Sequence, residues 1–80
     1  MQYVYIIQSI NFPDKIYIGY SANLKSRLEK HNTGSSIYTK NHKPWQLIFY
    51  CCFKDKSKAL NFEKYLKSHS GRAFLKKRFL

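Results

Sequence analysis

Two short runs of aromatic and β-branched residues stand near the start of the chain, at residues 3–7 and 16–20. Such runs are typical of β-strands. The segment between them, residues 11–14, holds Asn, Pro and Asp, which favour tight turns. The pattern therefore predicts an antiparallel hairpin at the start of the domain.

Apolar residues at helical spacing follow the hairpin. Positions three and four residues apart, with Ser21 or Asn23 available as a cap, predict a helix that ends near residue 32. The same spacing predicts a second helix, which Asp55 or Ser57 opens and which ends near residue 68. A last short helix is expected over residues 71–79.

A mostly apolar stretch from Trp45 to Phe53 predicts a third strand. The connection before it, residues 32–44, is rich in Gly, Ser, Asn and Lys, and long structureless connections are often functional or mobile. The element order β-β-α-β-α-α predicts an α+β fold, a three-stranded and mostly antiparallel sheet flanked by helices. Residues 1–80 are expected to form a single domain, because the length leaves no room for a second.

The composition adds a strong positive charge. Fifteen Lys and Arg against four Asp and Glu give a formal charge of +11, which suits a polyanionic partner. Nucleic acid is expected first, and an anionic membrane surface second. No apolar stretch approaches the roughly 20 residues of a spanning helix. The first residues also lack the features of a cleaved signal, so we expect a cytoplasmic protein without a membrane partner.

Cations are frequent in the second half of the chain, where they are candidates for contacts with phosphates. Tyr38 and Trp45 are candidates for stacking on bases. The expected nucleic-acid-binding residues are Tyr38, Lys40, Lys43, Lys67, Arg72, Lys76 and Lys77. A plain solvated face explains such a charge run equally well. No residues indicate base-specific readout, so binding guided by the structure of the nucleic acid, or independent of its sequence, is expected.

The two cysteines do not indicate a disulfide or a zinc site. Cys51 and Cys52 are neighbours in a predicted strand, where adjacent side chains point to opposite faces. The three histidines are scattered along the chain and do not have the spacing of zinc ligands.

Several polar residues share faces with apolar ones. Strand parity places Tyr17 with Gly19, whose missing side chain is expected to let a backbone or a phosphate approach closely. Arg27 and His31 lie one helical turn apart on the stripe that carries the leucines of the first predicted helix. Glu63 alone among the acids stands at core spacing, where a carboxylate is costly unless it is paired or binds a metal. A salt bridge to Arg27 or to a neighbouring lysine explains Glu63 equally well.

Taken in order, these residues resemble the GIY-YIG nuclease superfamily. Val4-Tyr5 resembles the end of the first signature, with Tyr3 where its glycine usually stands, and Tyr17-Ile18-Gly19 resembles the second. Residues 23–28 resemble the helix that carries the family arginine. The resemblance extends over almost the whole chain. It is strongest to small stand-alone members, and the chain is also similar to the N-terminal nuclease domain of the DNA-repair excinuclease.

The resemblance implies a metal-dependent endonuclease that hydrolyses phosphodiester bonds in DNA, as in DNA repair. It implies that Glu63 holds one Mg²⁺ or Mn²⁺, that Arg27 binds the phosphate, and that Tyr5, Tyr17 and His31 manage water and protons. Because one carboxylate cannot fill the shell of such an ion, we expect weak metal binding without substrate. Phenols titrate near 10, so His31 is the more natural proton carrier at neutral pH.

Two departures from the family pattern support a rival hypothesis. Tyr3 replaces the first signature glycine, and Tyr20 follows Gly19 where several relatives carry a lysine or a small polar residue. The rival is a non-catalytic, basic nucleic-acid-binding module on the same fold. A third hypothesis, a small protein-interaction domain, explains the fold but not the charge. We expect a monomer that binds DNA in preference to RNA, with a protein partner that recruits it.

Overall fold

A computed structural model of the protein describes residues 1–78. Its elements follow the order β-β-α-β-α-α, and the α+β fold expected from the sequence is confirmed. Phe79, at the end of the last predicted helix, lies outside the described residues.

One antiparallel sheet contains the three strands, β1 (Gln2–Ser9), β2 (Ile16–Ser21) and β3 (Trp45–Phe53), in the order β2-β1-β3. The central strand is also the most buried one, with residues 4–7 at most 1% exposed. In the register of the sheet, Tyr5 lies opposite Gly19 of β2. The sheet therefore sets the two tyrosine strands side by side.

The helices are α1 (Leu24–Thr33), α2 (Lys56–Lys67) and α3 (His69–Arg78). The side chains of Asn23 and Asp55 cap α1 and α2, each by accepting a hydrogen bond from a backbone N–H in the first turn. Both caps are among the residues that the sequence offered for these positions.

The last helix begins at His69, two residues before the expected start. Gly71 N–H donates to Ser68 Oγ at 3.1 Å, so that the helix is capped before Ser70. A Cβ on Gly71 would lie 1.9 Å from the backbone oxygen of Tyr65, and only glycine allows α3 to fold back so tightly on the end of α2.

Apolar side chains pack on both faces of the sheet. On one face, Val4 and Ile6 of β1 pack against buried residues of α2 and α3, among them Leu66 and Leu75. On the other face, a second cluster of buried side chains contains Tyr5, Ile7 and Trp45 and packs against Leu24 and Leu28 of α1. Strand parity therefore directs Tyr5 toward α1.

The sequence indicated a structureless connection over residues 32–44, but in the structure this connection is ordered by local contacts. It contains a short 3₁₀ helix, Lys40–His42, and the fully buried Thr39. Ser9 Oγ donates to the carbonyl of His42 at 2.6 Å, and Ile10 N–H donates to the carbonyl of Pro44 at 3.0 Å. These contacts fasten the connection to the end of β1. No helix within residues 1–78 has the length and apolar character needed to cross a bilayer.

Candidate active site

Tyr5 is the centre of the candidate site. Its side chain is 1% exposed on the middle strand, and its Oη lies 2.8 Å from Nε2 of His31 on α1. The ring of Tyr17 is 6.4 Å from that of Tyr5 and 5.0 Å from that of His31, measured between ring centroids. Strand β2, strand β1 and helix α1 thus bring two phenols and one imidazole together.

Gly19 makes this convergence possible. A Cβ at this position would lie 2.4 Å from Oη and 2.5 Å from Cζ of Tyr5, and 3.0 Å from Cε2 of Tyr17. The end of the Tyr5 ring occupies the space that the missing side chain leaves. The expectation that a phosphate or a backbone approaches here is therefore wrong, because the glycine admits Tyr5 instead.

His31 has a hydrogen-bond partner at each ring nitrogen. Its side chain is 1% exposed, with Nε2 facing Tyr5 and Nδ1 lying 2.8 Å from Oγ1 of Thr39. Because a neutral imidazole donates at one nitrogen and accepts at the other, Tyr5 and Thr39 together set its tautomer.

Thr39 belongs to the site although the sequence did not single out its hydroxyl. The carbonyl of Thr39 accepts a hydrogen bond from Nε1 of Trp45 at 2.8 Å. Trp45 in turn exchanges backbone hydrogen bonds with the side chain of Asn32 at 2.6 and 3.1 Å. The only signal in the sequence was indirect, since a histidine on an apolar helix stripe needs polar partners.

The same contacts overturn the stacking prediction for Trp45. Its side chain is 5% exposed and lies in the core cluster with Tyr5 and Ile7, so it cannot stack on a base. Tyr38, in contrast, is 82% exposed. The other residues expected to bind nucleic acid are all exposed: Lys40, Lys43, Lys67, Arg72, Lys76 and Lys77.

The electrostatic surroundings keep the two buried groups neutral near pH 7. Burial raises the pKa of the Tyr5 phenol, and Tyr17 and Glu63 raise this pKa further, while Arg27 opposes the shift. Burial also lowers the pKa of His31, and the positive charge of Arg27 lowers it further. Tyr5 therefore holds its proton, and the imidazole of His31 is free to accept one.

Arg27 and Glu63 lie on different helices and both act on Tyr5. Arg27 is exposed on α1, and its charge affects both Tyr5 and His31. Glu63 is on α2, with 19% of its side chain exposed, and its Oε2 lies 3.2 Å from Nζ of Lys67. Of the two salt-bridge partners that the sequence left open, the structure has the neighbouring lysine. Of the five predicted catalytic residues, Tyr5, Tyr17 and His31 are therefore in ring or hydrogen-bond contact, whereas Arg27 and Glu63 influence the pKa of Tyr5 only through their charges.

Among the described residues, Glu63 is the one Asp or Glu that is not exposed. Within the described part of the chain, no group of three or more His, Cys, Asp or Glu side chains could hold a metal ion. An ion at Glu63 would need water and phosphate oxygens to complete its shell, which is a familiar arrangement for Mg²⁺. Lys67 neutralises the carboxylate in the free protein and would compete with such an ion.

Residues 1–78 match the model of the GIY-YIG catalytic domain family. A UPF0213 protein of Staphylococcus haemolyticus is 35% identical over 75 residues, which cover 92% of this chain and 89% of the relative. A UPF0213 protein of Haloquadratum walsbyi is 35% identical over 69 residues, which cover 85% of this chain and 75% of the relative.

A solved structure agrees with these relatives. The solution structure of the UPF0213 protein BH0048 from Bacillus halodurans has a TM-score of 0.56 and 28% identity, and the match covers 96% of this chain and 84% of that one. The fold, the order of its elements and the resemblance found in the sequence all agree with this match. The chain belongs to the GIY-YIG catalytic domain family.

Proposed function

We propose that the protein is a divalent-metal-dependent endonuclease that hydrolyses phosphodiester bonds in DNA. Membership of a GIY-YIG catalytic domain family supports a nuclease-like function. The observation that carries the specific proposal is the Tyr5 phenol, which contacts His31 at 2.8 Å and is subject to the charges of Arg27 and Glu63. Hydrolysis needs a proton acceptor and a positive charge near the phosphoryl oxygens, and this cluster offers both.

Tyr5 and His31 act in this proposal as a proton relay. Tyr17, which is half-buried and lines a surface cavity, holds the attacking water next to Tyr5. The Tyr5 oxygen takes a proton from this water while the phenolic proton passes to Nε2 of His31. The imidazole, which already carries a proton on Nδ1, then has one on each ring nitrogen, and its Nδ1–H donates to Thr39 Oγ1. Burial favours the neutral imidazole, so His31 returns its proton to Tyr5 Oη while Tyr5 gives its phenolic proton to the leaving oxygen as the bond of that oxygen to phosphorus breaks.

Arg27 and Glu63 serve the phosphate in different ways. The guanidinium of Arg27 is a planar donor that suits a phosphoryl group, and its exposed position leaves it accessible to one. Glu63 would hold the divalent cation, which supplies charge neutralisation at the phosphoryl oxygens when it is bound. Tyr17 lies beside both buried groups and orients the water.

The net charge of +11 supports a nucleic-acid substrate, and phosphate contacts of this kind do not depend on base sequence. We propose binding guided by the structure of DNA rather than by its sequence. The rival hypothesis of a non-catalytic binding module uses the same charge, but in it no bond is cut and Glu63 serves only as the partner of Lys67.

Glu63→Gln separates the two hypotheses. The substitution keeps the shape and removes one negative charge, so we expect cleavage of branched, flapped and single-stranded DNA with Mg²⁺ or Mn²⁺ to disappear. DNA affinity should stay the same or rise slightly, because repulsion of phosphate decreases. Glu29→Gln is the matched control, since Glu29 is an exposed carboxylate on α1, and it should cleave normally.

A different outcome would favour the rival. If Glu63→Gln lowers the melting temperature but cleavage persists, Glu63 serves only as the partner of Lys67. If the wild-type protein binds these substrates and cleaves none of them with either metal, the protein is a binding module.

A further inference from the structure

A groove runs beside β2, which is an edge strand of the sheet. Two cavities, of about 600 and about 230 Å³, lie along it. Ile16 and Arg72 line both cavities, so the two spaces are adjacent. Tyr17 lines the smaller cavity and Lys76 the larger one. We call this pair of adjacent cavities the β2 groove.

The lining of the β2 groove has more cations than acids. Lys67 lines the smaller cavity, Lys76 the larger one, and Arg72 both, whereas the one carboxylate that the described residues contribute to the lining is that of Asp14 in the larger cavity. Within residues 1–78, ion pairs join Lys67 to Glu63 and Lys15 to Asp14, so that Arg72 and Lys76 have no acidic partner within 4.0 Å. These two residues are one helical turn apart on α3 and present their charges on the same side. Unpaired cations beside a groove are suited to phosphates.

The groove has an apolar floor, and its accessible part is formed mainly by Ile16 and Pro13. Ile18 and Leu75 also line the groove, but they belong to the core and are only 7% and 1% exposed. A duplex presents its phosphates on the outside and keeps its base faces stacked inside. A single strand can instead set phosphates against the cations and sugars or base faces against the apolar floor. The combination of cations and apolar floor therefore favours an unpaired strand.

We propose that the β2 groove binds the single-stranded flank of the DNA that is to be cut. This inference rests on the proposed function and names its substrate class, DNA with an unpaired segment next to the scissile bond. The strand lies past Lys76 and Arg72 and meets the candidate site at Tyr17. Lys67, which lines the smaller cavity, can then pair either with a phosphate of the bound strand or with Glu63.

The test compares two double variants with the same change of charge. Arg72→Glu with Lys76→Glu changes the groove, whereas Lys54→Glu with Lys58→Glu changes two exposed lysines near the opposite end of α2 from Lys67. Fluorescence anisotropy with labelled oligo(dT), without metal, measures affinity at several salt concentrations. Melting curves of all proteins report folding, and the milder Arg72→Ala replaces any variant that does not fold.

We expect the groove variant to bind oligo(dT) at least about tenfold more weakly than the control variant at low salt. Its log-log salt slope should decrease by about 1.4, since each lost contact to a single strand contributes about 0.7. Blunt duplex DNA of equal length should lose affinity equally in both variants. In cleavage assays, an unpaired flank should accelerate cutting by the wild type and by the control variant, but not by the groove variant.

Other results would contradict the proposal that the β2 groove binds a single strand and would leave the catalytic proposal unaffected. Equal loss of oligo(dT) binding in both double variants would mean that only net charge matters. Groove-dependent binding to anionic phosphatidylglycerol vesicles, with none to oligo(dT), would assign the surface to a membrane. The catalytic proposal fails separately, if Glu63→Gln still cleaves while the groove variant has lost its binding to single strands.

Discussion

Gly19→Ala tests whether Tyr5 is held in place for its contact with His31. The added Cβ would lie 2.4 Å from Oη and 2.5 Å from Cζ of Tyr5, whereas ordinary contacts begin near 3.4 Å. The end of the ring must therefore move by about 1 Å. The backbone conformation of Gly19 suits alanine, because Gly34 is the one described glycine with a positive φ.

The cost of this movement can be worked out from the surroundings of Tyr5. The side chain is 1% exposed, and a shift of that size lengthens the 2.8 Å contact with His31 beyond hydrogen-bond distance. Overpacking costs about 1–3 kcal/mol and the lost hydrogen bond about 1 kcal/mol. Together these terms predict a loss of about 2–4 kcal/mol in the free energy of unfolding. For a domain of this size, that lowers the melting temperature by about 8–32 °C, and cleavage should be lost as well.

Thermal melts followed by circular dichroism measure this effect, and a second background isolates its cause. Tyr5→Leu removes Oη and Cζ, the two atoms that the new Cβ would strike. Gly19→Ala should therefore cost less than about 1 kcal/mol when it is added to Tyr5→Leu. An equal drop in melting temperature in both backgrounds would show that the cost does not come from Tyr5. An unchanged melting temperature in the single variant would refute the reasoning altogether.

Three further predictions concern the neighbours of Tyr5. Thr39→Val removes the hydrogen-bond partner of His31 Nδ1 inside the core. It should lower the free energy of unfolding by about 1–3 kcal/mol and remove most of the activity, as melts and cleavage assays can check. Thr39→Ser keeps the hydroxyl and should keep both the stability and the activity. Since burial lowers the pKa of His31 below its ordinary 6.5, the unfolded chain binds a proton that the folded one does not. Stability should consequently decrease as the pH falls below 6.5, and melts between pH 5 and 8 should show a flatter profile for His31→Gln. Lys67→Ala frees Glu63 and should tighten Mn²⁺ binding by the free protein several-fold, measured by electron paramagnetic resonance, while it weakens DNA binding.

The sequence predicts the elements well where local patterns decide them. Strand β3 has the expected bounds, Trp45–Phe53, because a continuous apolar run between polar segments is itself the signal. Helix α1 likewise follows from its cap and its leucine stripe. The start of α3 was missed, because it depends on the close contact between Gly71 and the end of α2. Such contacts between elements leave no periodic trace.

The candidate site likewise has some features that local patterns predict and others that depend on contacts between distant parts of the chain. Strand parity placed Tyr17 and Gly19 on one face, and the i, i+4 spacing of Glu63 and Lys67 was visible in the sequence, whereas the position of Tyr5 beside them depends on the register between β1 and β2. The contact between His31 and Thr39 could not be foreseen, since it depends on how residues 32–44 fold back over the sheet. For the same reason Trp45 looked like a surface aromatic until its indole was seen to bind the carbonyl of Thr39.

The burial of Tyr5 has a consequence for how this protein can change over evolution. Tyr5 is the largest fully buried side chain among the described residues, and it is also the proposed proton relay. In many enzymes the chemistry is carried by surface loops that can vary while the core stays the same. Here a substitution at this position alters packing and chemistry together, so a lineage that abandoned cleavage would still be constrained to keep a ring of this size. A descendant with Phe in place of Tyr5 would then be the form expected of a binding module derived from the proposed nuclease.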